Sequence, residues 1–584
     1  MKRELFINTI KASTKAIKCD LIIKNITIID VFNKDKFIDT VGIKDGYIVG
    51  IGDYESTEII DGTGKFICPG LMDAHCHIES SLVTPSEYYK AALINGITSV
   101  VADPHEIANV FGTEGIDFMI NSSKNIPFDM YFMLPSCVPG TDFENSGATL
   151  EADDLEKYYK SDRILGLAEV MNFPAVVNCH DSMIDKLSDC IINAKVIDGH
   201  GAGLSSMMTN TYRTANISTD HECISAKEAL EKVKRGMYVL MREGTAAKNL
   251  KDLLPAVNES NSTRFCFCTD DEHIDDIVKN GSINSSIVTS IEQGLRPETA
   301  IQMATLNPSV LYKLSNKGAI APGYIADFII LDDLENFKIN KVYKNGKLVV
   351  SDGKLLDSVC NEDSLNLNIK NSMHLPSLKE DSFNIDITNK SILNVMEIIP
   401  NKLETNHLKI EITNDIKEEC ENHILFKQCV NKDLSKIAVI ERHKNTGNIG
   451  LGIIKGLKIN SGAVATTIAH DSHNLIIAGT NDKDMIFAAK ESEKMQGGIV
   501  IVKDETVLAS IPLEIAGLMT NKNYKDTIKD IENLDKALNV VTSDLDYNLF
   551  LTLSFLSLPV IPDLKITDKG LFNVKEFKFI DVAE

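Results

Sequence analysis

His75 and His77 stand one residue apart in the stretch LMDAHCHIESS, a spacing with chemical potential. On a strand, residues i and i+2 face the same side. Both imidazoles would then aim into one space while Cys76 faces away. Two converging ring nitrogens suit a transition metal. A hydrogen-bonded surface pair has the same spacing, so the rest of the chain must decide.

The rest of the chain supplies partners. Eight apolar runs can be read: LMDAHCH, ITSVVADPHE, MYFMLPSCV, ILGLAEVMN, AKVIDGHG, ISTDHE, YVLMREG and FCFCTDD. Most end in ionisable residues: His75 and His77, His105 and Glu106, Glu169, His200, His221 and Glu222, Arg242 and Glu243, Asp270 and Asp271. Gathering these groups in one partly desolvated mouth is costly if they stay unpaired. A metal resolves that cost. Histidine with carboxylate suits Zn²⁺, Mn²⁺ or Fe²⁺ and leaves room for two ions.

Something must hold the runs side by side. They alternate with helical patterns at a spacing of about thirty residues, the rhythm of a parallel sheet. Eight such strands predict an α/β fold, a (β/α)₈ barrel over 70–315, with its site at the C-terminal strand ends. A doubly wound sheet is the rival, but it would not put functional groups at nearly every strand end. Strand-like stretches with Asp45-Gly46 and Asn345-Gly346 turns flank the barrel. They predict one small β-domain built from 1–69 and 316–358. Polar sequence over 359–394 reads as a linker, and 395–584 as an α+β C-terminal domain.

Bulk properties exclude several function classes. A 584-residue chain needs more than one core. Its net charge of −23 argues against nucleic acid or an anionic membrane as partner. The twelve cysteines form no C-x-x-C pair, which fits reduced thiols in a cytoplasm. MKRELFINTIKASTKAIK is amphipathic and charged rather than a signal peptide. LFLTLSFLSLPVIP is too short and too interrupted to span a bilayer and reads as buried core. The base deaminases that bind one zinc use H-x-E with a later P-C-x-x-C. The latter is absent here.

The ordered set of motifs resembles the amidohydrolase superfamily and, within it, the bacterial adenine deaminase family. The likeness is carried by HCHIESSLVTP, VADPHEIANVFG, GLAEVMNFPAV, DGHGAGLS, TDHE and REGTAAKNL, and in the tail by IAHDSHNLIIAGTNDKDM and LSLPVIPDLKITDKGLFNV. It implies two divalent ions, Mn²⁺ or Fe²⁺ favoured over Zn²⁺. His75, His77 and Asp270 would hold one, and His200 and His221 the other. ILGLAEVMN has no lysine to carboxylate, so Glu169 is the implied bridge. The implied reaction is hydrolysis of adenine to hypoxanthine and ammonia. A metal-bridging water of lowered pKa would attack C6, and Asp270 would move its proton. A second acid is wanted at the ring nitrogen; Glu106, His105, Glu222 and Glu243 are candidates. Glu79, Ser80, Glu243, Asp471 and His473 are candidates for substrate contact or closure. The implied partner is adenine alone, in a homo-oligomer. Two alternatives differ in class: an amidohydrolase for another purine or a cyclic amide, and a non-catalytic scaffold.

Overall fold

The computed structural model describes residues 3–584 except 246, 360–368, 370 and 422. Alternating apolar residues and two-residue turns build the first layer. Cys19–Asp30 pairs antiparallel with Asp35–Lys44, which turns back into Tyr47–Ile51. Asp45 and Gly46 in that turn have φ of 50° and 81°. Two positive φ values are what a type I′ hairpin requires, hence the Asp-Gly pair. Asn345 and Gly346, at φ 50° and 73°, do the same between Lys338–Lys344 and Lys347–Ser351. Phe66–Pro69 pairs antiparallel with Phe328–Asp333, so distant parts of the chain share one sheet. Ile23, Ile26, Ile28, Val41, Ile43 and Phe328 are buried together there. Each such side chain contributes roughly 1.5–3 kcal/mol when fully buried.

Among the described residues, eight parallel strands follow, one for each apolar run. They are Leu71–Cys76, Ile97–Ala102, Asp129–Leu134, Ile164–Val170, Val196–Gly199, Thr219–Asp220, Tyr238–Arg242 and Phe265–Cys268. Strands buried on both faces read as continuous hydrophobic runs, which is why these runs lack strict alternation. The first five form one sheet and the last three another. Two seams close the ring. At one, the Ser218 N–H donates to the Ile197 carbonyl (2.8 Å). At the other, the Asp270 N–H donates to the His75 carbonyl (3.0 Å), and the Asp270 carbonyl accepts from His77 (2.9 Å). Met72, Val101, Met133, Leu240, Cys266 and Cys268 pack in the interior. Tyr312 plugs it, its hydroxyl donating to the Ala74 carbonyl (2.8 Å) and to Asp198 (2.9 Å).

The C-terminal unit centres on an eight-stranded, mostly antiparallel sheet; only Ile392–Ile398 with Ile449–Lys455 is a parallel pair. The stretch expected as a linker behaves differently along its length. Residues 360–368 and 370 lie outside the described residues. Beyond them, Met373 and Phe383 are buried in one cluster of this unit, and Ile385 and Ile387 in another. The alternation in FNIDI turns those three apolar side chains inward despite polar surroundings. The unit docks on the barrel mouth. Thr520 donates to the Leu82 carbonyl (2.9 Å), and the backbone and side chain of Asn145 donate to Asp568 (2.9 and 2.6 Å). Among the described residues, no helix is long and apolar enough to cross a membrane.

Candidate active site

The strand ends and the C-terminal unit enclose a tight cavity. His75 and His77 come from the end of the first strand, and their Nε2 atoms lie 3.3 and 3.2 Å from Asp270 Oδ1. Glu169, on the fourth strand, divides its two oxygens. Oε1 lies 3.4 Å from His77 Nε2; Oε2 lies 2.7 Å from His200 Nδ1 and 3.1 Å from His221 Nε2. One carboxylate thus stands between two histidine pairs. Asp270 sits at φ 62°, a left-handed conformation that is uncommon outside glycine and clusters at functional sites.

Leaving its histidines aside, charge in this cavity does not balance. Glu106, Glu169, Glu222, Asp270, Asp271 and Asp471 line it, against Arg242 as the one arginine. Arg242 donates from Nη1 to Asp270 Oδ2 (2.8 Å) and to Glu222. Burial alone would raise the pKa of Asp270, but Arg242 and the neighbouring histidines hold it well below the carboxylate range. Burial is likewise outweighed at Glu169, by His221 and His200, and at Glu222, by Arg242. Asp271 is pushed up by burial and then by Asp270.

The donor set fits divalent cations. Both ring nitrogens of His75 and Nδ1 of His221 are buried with no hydrogen-bond partner among the described residues. Such orphaned groups are expensive unless something coordinates them. His75, His77 and Asp270 each offer an atom within 4.8 Å of the others; so do His75, Glu169 and His221, and so do His200, His221 and Glu222. His105 joins from the start of the helix after the second strand, its Nδ1 3.1 Å from Asp103 and 3.5 Å from Glu169.

The other sequence candidates divide. Glu106 lies in the cavity wall, with its oxygens turned to His470 and His473. Asp471 lines the cavity; His473 stands behind Glu106. Glu79, Ser80 and Glu243 are not part of the wall. Glu79, on a short 3₁₀ turn, accepts from the Ile107 N–H (3.2 Å), and burial with Glu106 nearby pushes it up to about 7. Ser80 donates to Asp271. Glu243 lies one residue past the strand's end at Arg242, in a bridge to Lys248.

Sequence reasoning expects the C-terminal domain to cover the mouth but does not name the roof's side chains. Leu403, Phe555, Leu558 and Ile561 cover the cavity with apolar surface, and the His470 ring stacks on Phe555 (4.4 Å between centroids). Apolar cavity lining and apolar core have the same sequence signature. The AHDSHN segment did flag His470, but not what it touches.

Known proteins agree with this architecture. Residues 66–349 match the amidohydrolase family, and residues 410–578 match the adenine deaminase C-terminal domain. The amidohydrolase family is metal-dependent, in keeping with the buried clusters at this mouth. An adenine deaminase of Geobacillus kaustophilus (strain HTA426) is 47% identical, over 98% of this chain and 98% of its own. One from Lysinibacillus sphaericus (strain C3-41) is 45% identical over 100% and 99%, and one from Bacillus subtilis (strain 168) is 44% identical over 100% of both. With two domains matched in order and near-complete coverage at this identity, the chain belongs to the adenine deaminase family of metal-dependent amidohydrolases.

Proposed function

We propose that this enzyme hydrolyses adenine to hypoxanthine and ammonia at the barrel mouth. The observation that carries the reading is Glu169 standing between His77 on one side and His200 and His221 on the other, inside a cavity walled by the strand ends and an apolar roof. His75, His77 and Asp270 would hold one divalent ion, and His200 and His221 a second, with Glu169 shared. Mn²⁺ or Fe²⁺ is favoured over Zn²⁺. When bound, the ions supply Lewis acidity and lower the pKa of water by several units.

The chain's own groups do the rest. Asp270, kept ionised by Arg242, takes a proton as water oxygen bonds to C6, and delivers it to the departing amino group. Glu106 is our choice for the ring nitrogen N1. Glu222 is tied to Arg242, and Glu243 lies outside the cavity wall, whereas Glu106 lines the cavity and shares the proton of His470 through Oε1. Burial works against a charge on His470, but Glu106 lifts it to about 9, so the pair holds a proton near neutral pH. The two protons of water end on N1 and on ammonia, and C6 becomes a carbonyl. The apolar roof covers the cavity and keeps bulk water from the reacting carbon.

The eleven described cysteines are all unpaired, which supports a reducing compartment such as the cytoplasm. A homo-oligomer rests on the family resemblance; a single-chain mass in sedimentation would remove it. The main test is optical. Protein purified with Mn²⁺ should convert the ultraviolet spectrum of adenine to that of hypoxanthine, and chelation should stop it. Metal-loaded protein that leaves adenine unchanged would send the search to other purines and cyclic amides.

A further inference from the structure

We infer that His470 and His473 are positioning residues for Glu106, so that the C-terminal domain completes the acid–base machinery of the barrel. The inference builds on the function proposed above and assigns a role to side chains from the other domain.

Glu106 is 2% exposed at the start of the helix His105–Phe111. A buried carboxylate needs partners on both oxygens. Within the barrel, His105 Nε2 lies 3.6 Å from Oε1, too far for a hydrogen bond. The close partners come from the C-terminal domain. His470 Nδ1 lies 2.8 Å from Oε1, and His473 Nε2 contacts Oε2. The Ala469 N–H donates to His473 Nδ1 (3.3 Å), so the His473 proton resides on Nε2, the atom facing Glu106. Burial opposes ionisation of Glu106, but His470 and His473 hold its pKa well below the carboxylate range.

The loop that delivers both histidines is fixed from behind. Arg442 is fully buried with no carboxylate on its guanidinium among the described residues; it donates instead to three backbone carbonyls, of His473, Ser372 (2.6 Å) and Ala516 (2.8 Å). His443 Nε2 pairs with the Ser472 carbonyl (2.7 Å). Asn474 Nδ2 donates to the Asn145 carbonyl of the barrel (2.8 Å), tying the loop to the surface it serves. His470 is set by its stack on Phe555 and by its backbone, whose N–H donates to Ser554 (3.0 Å) and whose carbonyl accepts from Ser557 (3.1 Å). One buried guanidinium thus ties the loop at His473 to Ser372 and Ala516 and fixes the loop's path.

The two histidines present different nitrogens, and this makes the inference testable in the full-length enzyme. A glutamine amide reaches the position of Nε2, and an asparagine amide that of Nδ1. His473→Ala should lower kcat by ~10–100-fold, the usual cost of losing an orienting partner, with KM changed by less than about threefold. H473Q should recover most of the rate and H473N little. At the other position the order reverses, with H470N recovering and H470Q not. Amide variants of equal activity at each site would overturn the inference. So would a third metal ion in the wild type that is lost in H473A, because these residues would then be ligands.

A second measurement avoids activity altogether. Thermal midpoints of the wild type, H473A, E106A and the double variant form a cycle. Non-additive shifts support the contact; additive shifts overturn it. Wild-type protein inert towards adenine, with a non-additive cycle, would reject the proposed function but keep the positioning pair.

Discussion

Two clusters of buried charge in this molecule have opposite meanings. One lies where the barrel meets the β-domain: Lys317 and Lys344 each bridge Asp129 and Asp327, at 2.5–2.8 Å. Two cations meet two anions, and the Asn345 N–H adds a bond to Asp327 (2.8 Å). The other is the mouth, with six carboxylates, one arginine, and a His75 without hydrogen bonds on either ring nitrogen. Asp129 in the first cluster is partly exposed while the carboxylates of the mouth are buried, yet only the first cluster closes on itself. Unspent coordination capacity, rather than buried charge as such, separates a site from a strut.

Substitutions can break that contrast, the largest effect first. Asp270→Asn should cut kcat by ~10²–10⁴-fold, the range for a positioned proton carrier. Circular dichroism should find the fold intact. A variant with the wild-type rate would remove Asp270 from the chemistry. Glu169→Gln should weaken metal retention by at least ~10-fold, since ligand charge sets affinity. Elemental analysis after dialysis checks this, and unchanged metal content would reject Glu169 as the shared ligand.

The balanced cluster should fail in the other direction. Asp327→Asn leaves buried lysine charge uncompensated and should cost ~3–5 kcal/mol of stability. Metal content should stay unchanged. Burial opposes the charges of Asp129 and Asp327, but the two lysines hold both pKa values below the carboxylate range. Their stabilisation is therefore complete above the unfolded carboxylate pKa of about 4. It is lost as pH falls through the depressed folded values. Chemical denaturation across acid pH should find the Asp327→Asn penalty shrinking in that direction; a penalty that grows would reverse the assignment. Smallest of all, Phe555→Leu keeps an apolar roof but removes the His470 stack. Losing ~1 kcal/mol of contact predicts about a fivefold rise in KM. A purine KM that does not move would mean the roof does not touch the base.

Most of the barrel was legible because parallel strands advertise themselves as apolar runs and their ends as polar punctuation. His75, His77, Glu169, His200, His221 and Asp270 follow that rule, and the mouth gathers them. Glu243 breaks it, since it lies one residue past the strand's end at Arg242, in a bridge to Lys248. Glu79 was illegible for another reason: a 3₁₀ turn, not a strand, sets where it points. The roof was hidden more deeply. Nothing local in LSFLSLPVIP distinguishes a side chain facing a cavity from one facing the core. The partnership of Glu106 with His470 and His473 joins distant parts of the chain, and only domain docking creates it.

The seam between the last and first barrel strands carries one more implication. Asp270 is stitched by its backbone to both His75 and His77, while its side chain faces the same two rings. Closing the cylinder and assembling that trio are thus a single event. A half-formed barrel has no trio to offer, and any ligand that grips the three acts as a clasp on the whole ring. By linkage, such a ligand stabilises the closed fold by an amount that grows with the logarithm of its affinity. Loosening the seam, even with all three side chains intact, should make that affinity leak away.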